Sequence, residues 1–350
     1  MKKPLSMVAI FLLIICLAAC QSKGNESSRS ADSHESSRIS KEVKEQPEKK
    51  EEQETNVYPL TGELANGGID NQVIGVMVNN HSLARPQTGL SKADVVYEVL
   101  AEGQITRFLA LFQSEIPDKI GPVRSARPYY LELAQGFNAL YIYHGASVAI
   151  NQTVANSGTD FLNGSMYDNN GWLFQRSTDR SAPHNSYLLT SGINQALEAK
   201  GYDNQSTIPP LPFADDDQLN KGQPVTDVTI TYSEQPEEIV SFTYDTEIKQ
   251  FLRSSDGEPT VEKETNQRIA VDNIFVVETS HQVVDGKGRR SIDLTSGGKG
   301  YLFYKGEMLQ VNWKNVNGRI LPYLDGEPLP FARGKTWVNI VPTNTKVAAQ

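Results

Sequence analysis

The sequence has 350 residues, a formal net charge of −9 and two cysteines, with 38 % hydrophobic and 21 % charged residues. This length allows about two domains, and the acidic balance argues against a nucleic-acid-binding protein, which needs a basic face. Only one long apolar run is present, which excludes a polytopic membrane protein. Both cysteines, Cys16 and Cys20, precede residue 21, so the rest of the chain has no disulfide, thiolate nucleophile or cysteine-bound zinc.

The amino terminus has the pattern of a bacterial lipoprotein signal, predicted over residues 1–20. Lys2 and Lys3 precede an uncharged stretch whose apolar core is shorter than the about 20 residues of a membrane-spanning helix. The stretch ends in Leu-Ala-Ala-Cys at residues 17–20, which matches the lipobox. The match implies cleavage before Cys20, a thioether-linked lipid on Cys20 and an amino-linked acyl chain such as palmitate. Two acyl chains hold a protein at a membrane.

We therefore expect a lipoprotein anchored to the extracytoplasmic face of the cell membrane through Cys20. The alternative is an ordinary signal peptide in which the cysteine occurs by chance. Residues 21–56 follow with seven basic residues, nine acidic residues and no aromatic residue. Such a composition predicts a disordered tether. Residues 57–350 then carry the whole net charge of −9, because the +2 of the signal and the −2 of the tether cancel.

Residues 57–222 are predicted to form a domain in which strands and helices share a mixed sheet. Continuous apolar runs at 73–78, 95–100, 108–112 and 139–143 are typical of strands that are covered on both faces. Helical spacing and capping residues predict helices over 126–136, 148–155 and 192–200. Ser125 is the expected N-cap of the first helix.

Residues 223–350 are predicted to form a second domain that is mostly β. Strand-like runs at 228–232, 240–244, 274–279, 301–304, 309–313 and 337–341 are separated by Asp-Gly and Asn-Gly pairs, which are hairpin turns. The predicted fold class of the whole chain is therefore α+β.

The densest polar segment is Gly-Pro-Val-Arg-Ser-Ala-Arg-Pro at residues 121–128, which leads into the first predicted helix. A helix N-terminus attracts anions, and the planar guanidiniums of Arg124 and Arg127 suit a carboxylate or phosphate. Cations at this end of a helix oppose its dipole, so stability alone does not favour them. The alternative is that both arginines form ion pairs with Glu98, Glu102 or Asp179.

Other polar residues are expected to converge near this segment, since ligands bind where the strands of α/β sheets end. Arg85 follows the first strand, His144 ends the fourth, and Arg180 and His184 lie in a polar loop before the last helix of this domain. A metal site formed by His144, His184 and His81 lacks short ligand spacing, so no metal or other cofactor is expected.

Two stretches of this sequence, together with residues 121–128, resemble the YerB-like family of lipoproteins from Gram-positive bacteria. They are Val-Met-Val-Asn-Asn at 76–80 and Ala-Asp-Val-Val-Tyr-Glu at 93–98; further matches are Arg-Pro-Gln-Thr-Gly-Leu at 85–90, Ile-Thr-Arg-Phe at 105–108 and Pro-His-Asn at 183–185. The resemblance covers most of residues 57–350. It implies an α+β part, a β-rich carboxyl-terminal part and a place in the cell envelope, but no catalytic residues.

Three functions follow as hypotheses. The first is a binding module for an anionic envelope ligand, such as a wall-polymer phosphate or a peptide carboxylate. The second is a scaffold that docks another envelope protein. The third is a cell-envelope hydrolase or transferase with His144 or His184 as general base, which requires that histidine near Ser125, Ser147 or Ser181. Because the usual catalytic motifs are missing, a non-enzymatic role is favoured.

Overall fold

The computed structural model describes residues 56–65, 67–232 and 239–350. The predicted signal segment and, except for Asn56, the predicted tether lie outside the described residues. None of the helices in the described ranges is long and apolar enough to cross a bilayer.

The elements of residues 57–222 alternate between strands and short helices. The strands are β1 (Ile74–Asn79), β2 (Val95–Leu100), β3 (Thr106–Phe112), β4 (Lys119–Ile120), β5 (Leu140–Tyr143), β6 (Phe161–Asn163), β7 (Phe174–Arg176), β8 (Ser186–Leu189) and β9 (Phe213–Ala214). The α-helices are α1 (Pro128–Gln135), α2 (Val148–Ala155) and α3 (Ile193–Lys200), and 3₁₀ turns occupy Ser82–Ala84, Leu90–Lys92, Gly164–Met166 and Thr190–Gly192.

The remaining elements of the described residues are all strands. They are β10 (Gln223–Pro224), β11 (Asp227–Thr231), β12 (Ile239–Asp245), β13 (Gln250–Ser255), β14 (Glu258–Pro259), β15 (Ala270–Val271), β16 (Asn273–Thr279), β17 (His281–Val283), β18 (Arg290–Ile292), β19 (Gly298–Tyr304), β20 (Glu307–Val316), β21 (Arg319–Leu324), β22 (Glu327–Pro328), β23 (Phe331–Ala332), β24 (Thr336–Pro342) and β25 (Lys346–Ala349). The α+β class, with a mostly β carboxyl-terminal part, is confirmed.

One mixed sheet takes strands from both sides of the boundary predicted at residue 222. Within the described residues its order is β22-β21-β20-β19-β16-β24-β2-β3-β1-β5-β6, with β10 paired to β20. The junction is β24, which pairs in parallel with β16 on one side and with β2 on the other. At the far end, β1, β5 and β6 are parallel neighbours.

Both faces of this sheet are covered at β1, β2, β3 and β5, as the continuous apolar runs predicted. On β2, Tyr97 and Val99 face a core that includes α1, whereas Val96 and Leu100 face a second core that includes β11, β12 and β13. Alternate residues of a strand point to opposite faces, so an apolar run without alternation fits a strand buried on both sides. Strands β11 to β15 and β25 form the antiparallel sheet of the second core.

The first helix differs from its prediction at the amino end. It begins at Pro128, and its N-cap is Arg127 rather than Ser125, with no side-chain capping hydrogen bond. Proline at the first helical position loses no intrahelical hydrogen bond. The helix ends as predicted at Gly136, where a Cβ would lie 2.3 Å from the carbonyl oxygen of Gly318. Glycine at 136 is thus required by the close approach of the β20–β21 turn.

Candidate functional site

The parallel strands β1, β5 and β6 end at the same edge of the central sheet, which we call the carboxyl edge. They end at Asn79, Tyr143 and Asn163. Two backbone hydrogen bonds attach Arg124 to this edge. The Arg124 N–H donates to Met77 O at 2.8 Å, and the Arg124 carbonyl accepts from His144 N at 3.0 Å. Ligands of α/β sheets gather at such edges, and Arg124 lies at this one.

Arg124 is the cation of this edge that lacks a protein partner. Its guanidinium is partly buried and has no hydrogen bond or ion pair within the described residues. It lines a cavity of about 180 Å³ together with Asn79, Arg107 and His184. Burial, and then the neighbouring Arg127 guanidinium, lower the pKa of Arg124. A cation in this position is poorly solvated and open to an incoming anion.

Arg127 and Arg107 share one carboxylate. Arg107 Nη2 lies 2.5 Å from Glu102 Oε2, and Arg127 forms an ion pair with the other oxygen of Glu102. Burial, and then the Arg127 charge, lower the pKa of Arg107 to about 10. Three guanidiniums thus face one carboxylate, which leaves the cluster of Arg107, Arg124, Arg127 and Glu102 with a net positive charge.

The alternative that both arginines are paired holds only for Arg127. Glu98 pairs instead with Arg253 at 2.9 Å, and Asp179 pairs with Lys263 at 2.5 Å. The acidic residues that could have neutralised Arg124 are therefore occupied elsewhere or are shared by its neighbours.

Two histidines that line the cavity contact each other. The rings of His81 and His184 have centroids 4.6 Å apart and an interplanar angle of 41°. His184 Nδ1 accepts from the Asn79 amide at 3.0 Å, and His81 Nδ1 accepts from Leu83 N at 3.1 Å. Burial, and then His81, lower the pKa of His184. Because Nδ1 accepts in both residues, Nε2–H is the remaining donor of each ring.

Arg85 and Arg180 shape the loop after β1 and do not line the cavity of Arg124. Arg85 Nε donates to Asn80 O at 3.0 Å, and its Nη1 lies 2.5 Å from Asp256 Oδ2. Arg180 donates to the carbonyls of Ala84 and Pro86 at 2.7 and 2.8 Å. Arg85 also lines an adjoining cavity of about 500 Å³, which His81 borders as well.

His144 is hydrogen-bonded to the Arg124 backbone but does not line the cavity, and its imidazole is held in one tautomer. Arg176 Nη2 donates to its Nε2 at 3.4 Å, so the proton is on Nδ1, which lies 2.7 Å from Ser186 Oγ. Burial, and then the Arg176 charge, lower the pKa of His144. An imidazole that donates to a serine does not remove the proton of that serine. The imidazoles of His144 and His184 form their hydrogen bonds with Arg176, Ser186 and Asn79, and not with the hydroxyl groups of Ser125, Ser147 or Ser181.

The six predicted site residues thus divide by location. Arg124 and His184 share the cavity, and Arg127 joins it through Glu102. Arg85 and Arg180 hold the adjacent loop, and His144 lies behind the site. In the part of the chain that the structure describes, no three His, Asp or Glu side chains converge closely enough to hold a metal ion. Arg107 was not among the predicted site residues; its signal is a charged residue directly before the apolar run of strand β3.

Comparison with known proteins identifies the family. Two family models, described as the N-terminal and C-terminal domains of a protein of unknown function (DUF3048), match residues 60–203 and 228–338. The chain belongs to the DUF3048 family. The first matched range ends before residue 222, and the second begins after it. The domain boundary at residue 222 stays a prediction.

Relatives of known name agree with the predicted resemblance to the YerB-like family. The chain is 45 % identical over 289 residues to a Bacillus subtilis (strain 168) protein named "Putative lipoprotein YerB", covering 81 % of this chain and 86 % of that protein. It is also similar to the crystal structure of the YerB protein from Bacillus subtilis, with a TM-score of 0.77 and 44 % identity over 83 % of this chain and 99 % of that one. The YerB-like resemblance of this DUF3048 protein is therefore confirmed, and the lipoprotein name agrees with the lipobox at residues 17–20.

Proposed function

We propose that this DUF3048 protein is a lipid-anchored extracytoplasmic protein that binds an anionic envelope ligand at its carboxyl edge. The observation that carries the proposal is the Arg124 guanidinium, which is partly buried, lines a cavity and has no partner among the described residues. Burying an unpaired charge is unfavourable, and a phosphate or carboxylate supplies the missing charge-assisted hydrogen bonds.

The surroundings of Arg124 support an anion rather than a cation. The nearby Arg107 and Arg127 exceed the single Glu102 carboxylate in charge, and the neighbouring imidazoles of His81 and His184 each keep an Nε2–H donor. Because the chain carries a net charge of −9, long-range attraction does not bring anions to the protein. Recognition is therefore local to this cluster. The ligand classes that fit are a wall-polymer phosphate and a peptide carboxylate.

Replacement of Arg124 tests the site. We expect Arg124→Ala to weaken the binding of inorganic phosphate and of acetate by about 30-fold, since a hydrogen bond to a charged group contributes about 1.5–3 kcal/mol. Arg124→Lys keeps the charge but not the planar fork, so its affinity is expected to be intermediate. Binding is measured by titration of the imidazole proton NMR signals of His81 and His184.

Arg289→Ala is the matched control, because Arg289 forms a partly exposed ion pair with Asp285 on the β17–β18 hairpin. Its affinity for both anions is expected to equal that of the unmodified protein. Equal affinity in Arg124→Ala and Arg289→Ala, with the melting temperature of each variant unchanged, contradicts the proposed site.

Removal of the cysteine tests the anchor. In cells supplied with a labelled fatty acid, the full chain is expected to carry the label and Cys20→Ala to lose it, because the thioether forms at that thiolate. Cys16→Ala is the control, since the predicted cleavage removes residue 16 and labelling should persist. Equal labelling of the full chain and Cys20→Ala disproves the anchor.

A further inference from the structure

Three exposed apolar side chains lie on segments that leave the carboxyl edge. In the part of the chain that the structure describes, seven large apolar side chains are more than half exposed: Leu64, Leu83, Val148, Met166, Ile248, Val283 and Val284. Leu83, Val148 and Met166 are 64 %, 75 % and 66 % exposed. Each lies on the segment that follows one of the parallel strands β1, β5 and β6.

The sheet topology places these three segments side by side. Strand β5 pairs in parallel with β1 and with β6, so all three strands end at the carboxyl edge. Neighbouring strands lie about 4.8 Å apart, so the three segments extend over about 10 Å along this edge. An apolar rim formed by Leu83, Val148 and Met166 therefore borders the carboxyl edge that holds Arg124.

Backbone hydrogen bonds connect this apolar rim to the cavity of Arg124. Leu83 N donates to His81, which lines the cavity. Gly145 O, three residues before Val148, accepts from Ala126 N at 3.1 Å. The amide oxygen of Asn163 accepts from both Gly145 N and Ser165 N, at 3.1 and 3.0 Å. The rim and the cation cluster are thus parts of one hydrogen-bonded edge.

We propose that the ligand is an amphiphilic anion, with a phosphate or carboxylate headgroup at Arg124 and an apolar chain across Leu83, Val148 and Met166. This inference rests on the function proposed above. A purely ionic ligand leaves the apolar rim in water. A ligand with an apolar chain removes both the rim and that chain from water. The positive charge of the arginine cluster selects the anionic headgroup, and the apolar rim selects the apolar chain attached to that headgroup.

A comparison of two soluble anions tests this inference. Hexyl phosphate carries the same headgroup as inorganic phosphate and adds six carbons. Each CH₂ that becomes buried strengthens binding roughly fourfold. With half of the chain covered, we expect hexyl phosphate to bind the full-length protein at least about 30-fold more tightly than inorganic phosphate. Isothermal titration calorimetry measures both affinities.

A triple variant assigns the difference to the apolar rim. Leu83→Ser/Val148→Ser/Met166→Ser is expected to keep its affinity for inorganic phosphate and to lose most of the added affinity for hexyl phosphate. The control is Leu64→Ser/Ile248→Ser, which replaces exposed apolar residues on other parts of the fold and is expected to bind both anions normally. Retained phosphate binding shows that the triple variant is folded.

The outcomes separate this inference from the proposed function. If neither phosphate binds and acetate does not bind either, the proposed function fails, and this inference fails with it. If both anions bind with equal affinity, or the triple variant keeps the preference for hexyl phosphate, the inference alone is overturned. Stronger flotation with vesicles of phosphatidylcholine and phosphatidic acid than with vesicles of phosphatidylcholine alone indicates a bilayer lipid at the site, because the lipid proposed on Cys20 contributes equally to both. Tight binding of hexyl phosphate without this difference indicates a free amphiphile, and either result supports the proposal.

Discussion

Removal of either member of the Glu98–Arg253 ion pair is expected to lower the free energy of unfolding by about 3–5 kcal/mol, because it leaves a buried charge without its partner. Both side chains are fully buried. Arg253 Nη2 lies 2.9 Å from each oxygen of Glu98. The Glu98 carboxylate also accepts from Trp337 Nε1 and Thr106 Oγ1, each at 2.9 Å.

The pair connects the two sheets that form the second core. Glu98 lies on β2 of the central sheet and Arg253 on β13 of the antiparallel sheet, and the Arg253 guanidinium lies 4.7 Å from the centre of the Trp337 ring. Replacing both charges with apolar groups of similar volume removes the desolvation cost together with the attraction. Glu98→Leu/Arg253→Met is therefore expected to be more stable than either single variant.

Urea-induced unfolding at pH 7 measures these effects for Glu98→Gln, Arg253→Met and the double variant. The control is Arg289→Ala, which removes a partly exposed ion pair with Asp285 and is expected to change stability much less than loss of the buried pair. Single variants that lose no more stability than this control would show that the buried pair contributes little.

The second large effect concerns pH and Asp94, which is fully buried at the start of β2. Burial raises the pKa of Asp94 to about 6, against the hydrogen bonds that its carboxylate accepts from Ser114 and Gln113. The folded state thus holds this proton more tightly than the unfolded state, where the pKa is about 3.9. The resulting stability is present below the unfolded pKa and is lost as the pH rises through about 6.

We therefore expect the stability of the unmodified protein, relative to that of Asp94→Asn, to fall by roughly 3 kcal/mol between pH 3.5 and pH 7. Urea unfolding at several pH values gives this difference. His281 titrates in the same range in the opposite direction, since burial lowers its pKa to about 4 and its contribution is lost as the pH falls. The His281 contribution is common to both proteins and cancels. A relative stability that is independent of pH rules out the raised pKa of Asp94.

Local sequence patterns predicted the elements of this fold well, because each element is determined by a few neighbouring residues. The bounds of β2 and α2 agree with the predicted runs at 95–100 and 148–155. A two-residue hairpin turn of this type requires a left-handed backbone at both central residues. Three of the four predicted turns have it, as at Asp256 and Gly257 with φ values of 56° and 81°. In the fourth, at 285–286, neither residue has a positive φ, and the left-handed residue is Gly288.

Features that depend on distant residues were not predictable in the same way. Strand β13 escaped prediction because Arg253 occupies a core position, where hydrophobic periodicity expects an apolar side chain. At the site, the segment at 121–128 pointed to Arg124 and Arg127, but nothing local shows that Glu102 pairs with Arg127 and leaves Arg124 free. The contact between His81 and His184 joins residues from separate loops, so spacing in the sequence could not reveal it.

The position of β24 also determines when the protein can fold. Trp337 of β24 contacts Glu98 across 239 residues of sequence, and β24 separates β2 from β16 in the central sheet. During synthesis the amino-terminal part of the chain emerges first. The apolar edge of β2 that pairs with β24 therefore has no partner until Thr336–Pro342 has been made. Such an edge is a template for aggregation, and pairing over this distance is slow. Folding must then follow the release of nearly the whole chain rather than accompany its synthesis.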